Sequence, residues 1–291
     1  MDVCLMVEGQ EGVSWEQWRA LARAAEDAGL GALFRSDHYR SIVRGEPAGS
    51  LDAWATLAAL ATCTERIRLG TMVSPVTFRH PAVLAKNAVT VDHVSHGRVE
   101  LGIGAGWYEA EHESYGFSFS TPRTRLDELD RQLQEITRQW TEADDVRPRP
   151  VQQPRPPIIV GGAARPRTVA AAIRHADEYN TTFPSVDEAR ERARVLAQAA
   201  RAAGRPPLRF SMMTGCIVGR DDGEVRDRLA AWREITRGTS EPPICGTVDQ
   251  VSARLREYEA AGVERAMLQH LVHEDVEMVA LLGEVAAQVA G

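Results

Sequence analysis

The chain has 291 residues, of which 44% are hydrophobic and 26% are charged, so it can bury a sizeable core and is not a disordered tail protein. Its 34 basic and 41 acidic residues give a formal net charge of −7, which argues against nucleic acid and anionic membrane surfaces as partners. The length allows one domain or two, because barrels of alternating strands and helices often run to about 250 residues as one domain.

The predicted elements alternate between strand and helix along the whole chain. The first strand covers 3–8, and the first helix begins at Ser14, has Gln17 at the spacing of a capping box, and ends at Gly29. Seven further strands are predicted over 32–36, 67–73, 99–103, 157–161, 178–183, 208–214 and 265–269. The other helical patterns cover 52–64, 81–95, 123–140, 166–175, 187–203, 222–236, 247–261 and 274–289, with two of them between the seventh and eighth strands.

Eight strands that alternate with helices predict a parallel sheet closed into a (β/α)8 TIM barrel, as a single domain over 1–291. An open doubly wound sheet is the alternative. The stretch 141–156 is rich in Pro, Arg and Asp and is predicted to be an irregular connection and a barrel insertion. Since active sites of such barrels lie at the carboxyl ends of the strands, the residues after each strand are the candidates for function.

The loop after the fourth strand is rich in glycine and reads Gly102-Ile103-Gly104-Ala105-Gly106-Trp107-Tyr108-Glu109. It is not the dinucleotide fingerprint, because Trp107 stands where that motif needs its third glycine. Two interpretations remain open. The glycines let the backbone approach a flat ligand that Trp107 and Tyr108 line, or they form a barrel corner of small residues.

The loop after the fifth strand, Gly161-Gly162-Ala163-Ala164-Arg165, runs directly into a helix. Backbone N–H groups converge at such a helix start, which favours a phosphate, and Arg165 and Arg167 support this interpretation. A tight strand-to-helix turn without a ligand is the alternative.

The second strand ends in Ser36-Asp37-His38, where a histidine can serve as general acid or base, although a structural histidine is common at a strand end. Glu8 can bind substrate or pair with an arginine, and we expect the pairing. Phe183 and His270, after the sixth and eighth strands, are further substrate-pocket candidates.

No motif with metal-ligand spacing is present, and we expect no metal. The four cysteines are far apart and are expected to be buried free thiols. The sequence begins without a basic leader or an apolar signal segment, and a cytoplasmic location is expected. Lys86 is the only lysine, so an anionic ligand must be held by backbone N–H groups or arginines.

Several motifs resemble the luciferase-like monooxygenase superfamily, and within it the branch that uses the deazaflavin coenzyme F420. They are Ser36-Asp37-His38, Thr77-Phe78-Arg79-His80-Pro81, Asp92 to Glu111, Pro157 to Gly162, Ala176 to Asn180 and Gly246 to Val251. The resemblance covers nearly the whole chain and implies a barrel with a non-proline cis peptide in the third strand, at Met72-Val73. It also implies a homodimer.

The resemblance implies roles for individual residues. Asp37 would contact the polar edge of the cofactor ring, His38 would lie beside its reacting face, and the cofactor phosphate would lie on the Gly161 loop. The residues predicted at the cofactor are Asp37, Thr71, Met72, Val73, Gly106, Trp107, Tyr108, Gly161, Gly162 and Ala163. Trp107 departs from some sugar-phosphate dehydrogenases of the family, which have a glutamate proton donor there.

Three functional hypotheses follow. The first is hydride transfer between F420 and a small alcohol or an activated C=C or C=N bond, with His38 as acid or base. The second is an FMN-dependent monooxygenase of Baeyer–Villiger type, and the third is a cofactor-binding barrel without catalysis. The sequence does not identify the substrate, whose choice is predicted to depend on the loops after strands one, two and four and on 141–156.

Overall fold

The computed structural model describes residues 1–45 and 47–290, so Glu46 and Gly291, both inside the predicted domain, lie outside the described residues. The strands are β1 (Asp2–Val7), β2 (Ala32–Arg35), β3 (Arg68–Thr71), β4 (Ser74–Pro75), β5 (Val99–Gly104), β6 (Ile158–Gly161), β7 (Glu178–Thr182), β8 (Arg209–Gly219), β9 (Ile244–Thr247) and β10 (Arg265–His270). The helices are α1 (Trp15–Asp27), α2 (Ala53–Ala61), α3 (Pro81–Val94), α4 (Glu109–Tyr115), α5 (Pro122–Thr141), α6 (Pro166–His175), α7 (Val186–Ala202), α8 (Asp222–Ile235), α9 (Val248–Ala260) and α10 (Val276–Ala290).

The sheet closes on itself as an eight-stranded parallel barrel. Neighbours follow in the order β1, β2, β3, β5, β6, β7 and β8, and β10 pairs with both β8 and β1. The predicted TIM barrel is therefore confirmed, and the open sheet is wrong. The Met72-Val73 peptide is cis, as the resemblance implies, and it lies between β3 and the two-residue β4. None of the described helices is both long and apolar enough to cross a bilayer.

The barrel has two apolar layers because successive strand residues point to opposite faces. In β1, Leu5 packs outward against the surrounding helices, whereas Cys4 and Met6 fill the barrel interior. The interior layer is rich in sulfur and includes Cys4, Met6, Met72, Met213 and Met267. At the predicted capping box, the Ser14 N–H donates to Gln17 Oε1 at 2.8 Å and the Gln17 N–H donates to Ser14 Oγ at 3.2 Å.

The strand β9 and the short helix α4 were not predicted. The seventh predicted strand continues as β8 to Gly219 and pairs beyond the barrel with β9, whose four residues include Gly246 and give no period-two pattern. The other element is α4, which is only seven residues long and is mostly polar, so it lacks the apolar period of a core helix.

The connection 141–156 lies at the amino-terminal end of the barrel, opposite the strand ends where function was expected. The Asp92 carboxylate accepts the N–H groups of Val151 and Gln152, and Arg68, at the start of β3, donates to Gln152. The prediction that this connection shapes the substrate site is wrong. It joins α5 to β6, and a helix-to-strand connection in a parallel barrel must return to the amino end of the next strand.

The cysteines do not all lie in the core. Cys4 and Cys216 are buried free thiols as expected, but Cys63 is only half-buried and Cys245 is exposed. The expectation of four buried thiols is therefore wrong for two of them. Cys245 lies on β9, the strand that the sequence analysis missed at the edge of the barrel.

Candidate active site

A cavity of about 720 Å³ opens at the carboxyl ends of the barrel strands. Residues predicted from the strand ends supply most of its wall, namely Glu8, Gln10, Ser36, His38, Met72, Val73, Pro75, Gly104, Ala105, Gly106, Trp107, Gly161, Gly162, Phe183 and Gln269. The volume is that of a cofactor or substrate site. Among the residues predicted at the cofactor, Asp37, Thr71, Tyr108 and Ala163 do not line it.

The glycines at the end of β5 and in the loop after it agree with both interpretations that the sequence left open. A Cβ on Gly104 would meet Val73 Cγ2 at 2.6 Å, so this glycine is needed for close packing of the strand beside the cis peptide. Gly106 has a φ of +77° and turns the chain outward, and Trp107, which is 61% exposed, then borders the cavity. The first glycines form the barrel corner, and the last one presents an aromatic wall.

His38 is held in the cavity by a carboxylate that the sequence analysis missed. The imidazole Nδ1–H donates to Glu111 Oε2 at 2.8 Å, and Glu111 also accepts the N–H groups of Tyr39 and Arg40. Nε2 has no hydrogen-bond partner among the described residues, and the ring packs edge-on against Trp107 with centroids 5.8 Å apart. Glu111 lies in the quoted motif, but only α4 brings it to the second strand end.

The pKa of His38 is raised above its ordinary value. Burial by itself lowers the pKa, but the hydrogen bond and the negative charge of Glu111 outweigh it, with Glu8 and Asp37 adding in the same direction. A histidine whose Nδ1 proton is fixed by a carboxylate offers Nε2 as the site where a proton is held or released. This side chain is therefore suited to general acid or base chemistry in the cavity.

Asp37 is occupied elsewhere. Its carboxylate accepts Ser74 Oγ at 2.6 Å and Arg79 Nη1 at 2.6 Å, and its side chain is fully buried. Thr71 is likewise buried and donates to the Gly102 carbonyl at 2.8 Å. The structure places both residues behind the wall, where they hold the loops in position, and the predicted contact of Asp37 with a ring edge has no support in this arrangement.

The turn after β6 is built for a close approach of the backbone. A Cβ on Gly162 would meet Tyr179 Oη at 2.7 Å, and Tyr179 also accepts the Ala164 N–H at 2.9 Å. The helix that follows, α6, begins at Pro166, and its N-cap residue Arg165 provides no side-chain cap, whereas α5 and α7 have the hydroxyl caps of Thr121 and Ser185. The first N–H groups of α6 are thus available to an anion.

Glu8 does not pair with an arginine, so that expectation is wrong. In the described structure its partners are amides: Gln10 Nε2 donates to Oε2 at 2.9 Å, and Gln269 Nε2 donates to Oε1 at 2.7 Å. The strand ends around Glu8 supply two glutamines instead of a cation. Glu8 lines the cavity and is 7% exposed.

The two remaining pocket candidates differ. Phe183 lines the cavity and is 48% exposed. His270 is fully buried and does not line it, so its prediction as a pocket residue is wrong. Burial lowers the pKa of His270 to about 4 and holds the ring neutral against His273. The side chain of His270, the last residue of β10, points away from the cavity that Gln269 lines.

The arginines near the strand ends are mostly committed to protein contacts. Arg35 donates to Ser36, Ser50 and Leu51, Arg40 donates to the Ala110 carbonyl and Ser114, and Arg44 contacts the Leu271 carbonyl. Arg167 pairs with Asp127, whereas Arg165 is exposed and has no side-chain partner in the described part of the chain. Lys86 lies on α3 and donates to the Arg147 carbonyl at the other end of the barrel.

Part of the cavity wall comes from residues that the sequence analysis did not name as candidates for the site. These residues are Ile42 and Val43 after β2, Asn180, Thr182 and Met213 on the barrel strands, Trp232 on α8, Ser240 and Glu241 before β9, and Leu271. Trp232 Nε1 donates to the Ser240 carbonyl at 3.0 Å, which holds the segment before β9 against α8. Because the extended β8 pairs with β9, the segment with Ser240 and Glu241 that precedes β9 reaches the cavity.

A flat cofactor with a phosphate fits the cavity. The turn at Gly161 and Gly162 allows backbone contact, and the uncapped start of α6 with Arg165 offers donors to an anion. Met72 and Val73 form an apolar surface on the same wall. No group of three or more potential metal ligands occurs among the described residues.

Comparisons with known proteins give a consistent family. A model described as luciferase-like monooxygenase matches residues 3–243. An uncharacterized protein of Mycobacterium tuberculosis is 32% identical over 244 residues, which cover 74% of this chain and 83% of the relative. An F420-dependent hydroxymycolic acid dehydrogenase of the same species is 28% identical over 248 residues, covering 79% of this chain and 68% of that protein.

Solved structures share the fold at lower identity. An F420-dependent secondary alcohol dehydrogenase, in complex with an F420-acetone adduct, superposes with a TM-score of 0.83 at 18% identity and covers 99% of this chain and 98% of that one. The oxygenating constituent of 3,6-diketocamphane monooxygenase from Pseudomonas putida, in complex with FMN, gives a TM-score of 0.80 at 18% identity, with coverage of 99% and 98%. The fold thus occurs in proteins named for either cofactor.

Proposed function

Because the chain belongs to the luciferase-like monooxygenase family, we propose that it is an oxidoreductase that transfers a hydride between coenzyme F420 and a small organic substrate. The observation that carries the proposal is the His38–Glu111 pair, which leaves Nε2 without a protein partner in a cavity suited to a flat cofactor. Hydride transfer in an alcohol oxidation or a double-bond reduction is completed by a proton transfer, for which a group such as His38 beside the cofactor is suited.

In this proposal each residue has a defined task. F420 supplies a carbon centre that gives or accepts a hydride and reacts poorly with oxygen. His38 holds or releases the substrate proton at Nε2, and Glu111 fixes the orientation of the ring through Nδ1. Trp107 and Phe183 border the cavity, where they would cover a bound cofactor and substrate.

Two observations favour F420 as the cofactor. Of the two curated relatives described above, the one with a named activity is F420-dependent, and its match covers 79% of this chain. The anionic tail of F420 extends beyond its phosphate, and Arg165 is an unpaired cation at the turn where that phosphate would bind. FMN also has a phosphate, so an FMN-dependent monooxygenase is the second candidate, supported by the fold that this chain shares with an FMN-containing oxygenase.

The cofactor is tested by purifying the protein from a host that makes both F420 and flavin and recording its absorption and fluorescence spectra. We expect bound F420 and saturable binding when F420 is added to the stripped protein. Bound flavin without affinity for F420 would replace this proposal with the monooxygenase. Tight binding of F420 without turnover of any alcohol, enone or imine substrate would favour the non-catalytic barrel.

His38 is tested by the substitution His38→Ala. We expect turnover to fall by about 10²–10⁴-fold, because the proton at Nε2 has no replacement, while F420 affinity stays within a fewfold of the wild-type value. Turnover is followed by the absorbance of oxidised F420 under single-turnover conditions. His93→Ala, at an exposed histidine that contacts the Arg149 carbonyl at the other end of the barrel, is the matched control. Unchanged turnover in His38→Ala contradicts the assignment.

A further inference from the structure

The charge of the cavity wall is unusual for a site that is lined largely by apolar groups. Three titratable side chains line the cavity, Glu8, His38 and Glu241, and its wall includes neither Arg nor Lys among the described residues. His38 has Glu111 as its counter-charge. Glu241 has Arg233, whose Nε donates to it at 2.7 Å. Glu8 is therefore the carboxylate of this wall that forms no ion pair with a described residue, although its charge helps to raise the pKa of His38.

Glu8 is held in place by hydrogen bonds although no described residue forms an ion pair with it. Gln269 and Gln10 each donate to one of its two oxygens. Gln10 is itself fixed, because its Oε1 accepts the hydroxyl of Ser36, which in turn accepts the Gly9 N–H at 3.0 Å. Each carboxylate oxygen thus has one donor and keeps a lone pair for a further one.

A carboxylate that is 93% buried is costly to hold without a cation, because amide donors replace only part of its hydration. Other buried carboxylates of the described chain have either a cation, as Glu100 has Arg265, or more hydrogen-bond donors than Glu8. Asp92 accepts three hydrogen bonds and Glu11 accepts four, whereas Glu8 accepts two. The cost at Glu8 is offset when a ligand brings the positive charge. An anionic ligand would be repelled by the same group.

We propose that Glu8 is the recognition group for a cationic nitrogen on the substrate, so that the substrate class is a small apolar amine or iminium compound. This inference rests on the proposed function, because it names the class of substrate for that reaction. The position of Glu8 also suits this role. Val7 pairs with Arg35 on the neighbouring strand, so Glu8 and Ser36 follow adjacent strand ends. His38 is two residues after Ser36. The nitrogen would be bound beside the group that handles the proton.

The test uses three probes of one shape and different charge: benzylammonium, benzyl alcohol and benzoate. Each is titrated by calorimetry into the protein saturated with F420, or with FMN if that is the cofactor it retains. We expect affinity to fall in the order benzylammonium, benzyl alcohol, benzoate. In Glu8→Gln the benzylammonium affinity should fall by tenfold or more, which corresponds to about 1.4 kcal/mol, while benzyl alcohol changes little.

Glu241→Gln is the matched control, because it removes a carboxylate from the same wall that already has Arg233 as a cation. We expect it to change the benzylammonium preference less than threefold. Glu8→Asp keeps the charge and should keep the order of the three probes. Should Glu8→Gln fail to fold by circular dichroism, the wild-type order and Glu8→Asp still decide the proposal.

The proposal is overturned if benzoate binds as well as benzylammonium, if benzylammonium does not bind at 10 times the concentration that saturates benzyl alcohol, if none of the probes binds, or if Glu8→Gln keeps the preference. These outcomes are separate from failure of the proposed function. When neither F420 nor FMN binds, the hydride-transfer proposal fails, and the same titration on the protein alone still reports whether Glu8 selects a cation.

Discussion

The two ends of the barrel interior treat buried carboxylates in opposite ways. At the amino end, Arg265 donates to Glu100 at 2.7 Å and lies 3.1 Å from Glu178, and Arg68 also donates to Glu100. At the carboxyl end, Glu8 has only amide donors in the described structure. One end is closed by charge pairing inside the protein, and the other keeps a charge that a ligand can meet.

This difference separates stability from function along one barrel. At the amino end, Arg265 compensates the buried charges of Glu100 and Glu178, so removing this partner leaves uncompensated charge. At the carboxyl end, His38 and Glu8 are placed for catalysis and ligand recognition, so their loss should affect turnover and ligand affinity more than folding stability. Substitutions at the two ends are therefore expected to give different readouts.

The largest effect on folding is expected for Arg265→Met, which leaves Glu100 and Glu178 buried without their shared cation. The free energy of unfolding in urea should fall by about 3–5 kcal/mol. Arg194→Met, which breaks an exposed pair with Glu191 on α7, is the control and should change little. Equal stability of the two variants would remove the contrast between the two ends.

A smaller effect, dependent on pH, is expected for Glu178→Gln. Burial raises the pKa of Glu178 to about 7 from an ordinary 4.5. The charge of Arg265 only partly offsets this rise, and the charge of Glu100 adds to it. The folded protein then binds more protons than the unfolded chain between these values, so stability falls as the pH rises through this window. The variant should lose that fall, roughly 1–3 kcal/mol between pH 4.5 and pH 8. Urea unfolding at several pH values measures it, and identical slopes in both proteins would contradict the assignment.

At the carboxyl end, Glu111→Gln should lower the pKa of His38, because the variant loses the negative charge that outweighs the pKa-lowering effect of burial. Turnover that needs protonated His38 should then fall roughly tenfold near neutral pH, with the acidic limb of the profile preserved. Histidine NMR titration gives the pKa directly, and pH–rate profiles give the second readout. A pKa of His38 that does not move would show that Glu111 is not its counter-charge.

The smallest effect is expected for Arg165→Gln. Loss of this exposed cation should weaken F420 binding roughly three- to tenfold, since backbone N–H groups at α6 would remain. Arg167→Gln is matched to it, because Arg167 lies two residues away and already pairs with Asp127. Fluorescence titration with F420 compares the two, and equal losses would place the anionic tail elsewhere.

Much of this protein was determined by its sequence. The alternation of apolar runs and amphipathic helices specified the barrel, because burial on both faces of a parallel strand leaves a continuous apolar run that is visible in one dimension. The resemblance added the cis peptide at Met72-Val73. The barrel rule also located His38, Trp107 and the Gly161 turn at one end.

The tertiary structure alone decided which charges meet. Glu111 reaches His38 from 73 residues away, Glu8 meets Gln269 from 261 residues away, and no local pattern encodes either contact. Sequence reasoning expected Glu8 to pair with an arginine, with substrate binding as the alternative, because arginine supplies nearly all of the basic residues of the chain. The closed barrel brought Gln269 to it instead, beside the neighbouring Gln10, since side-chain partners across a barrel depend on strand order and register, which a linear pattern does not contain.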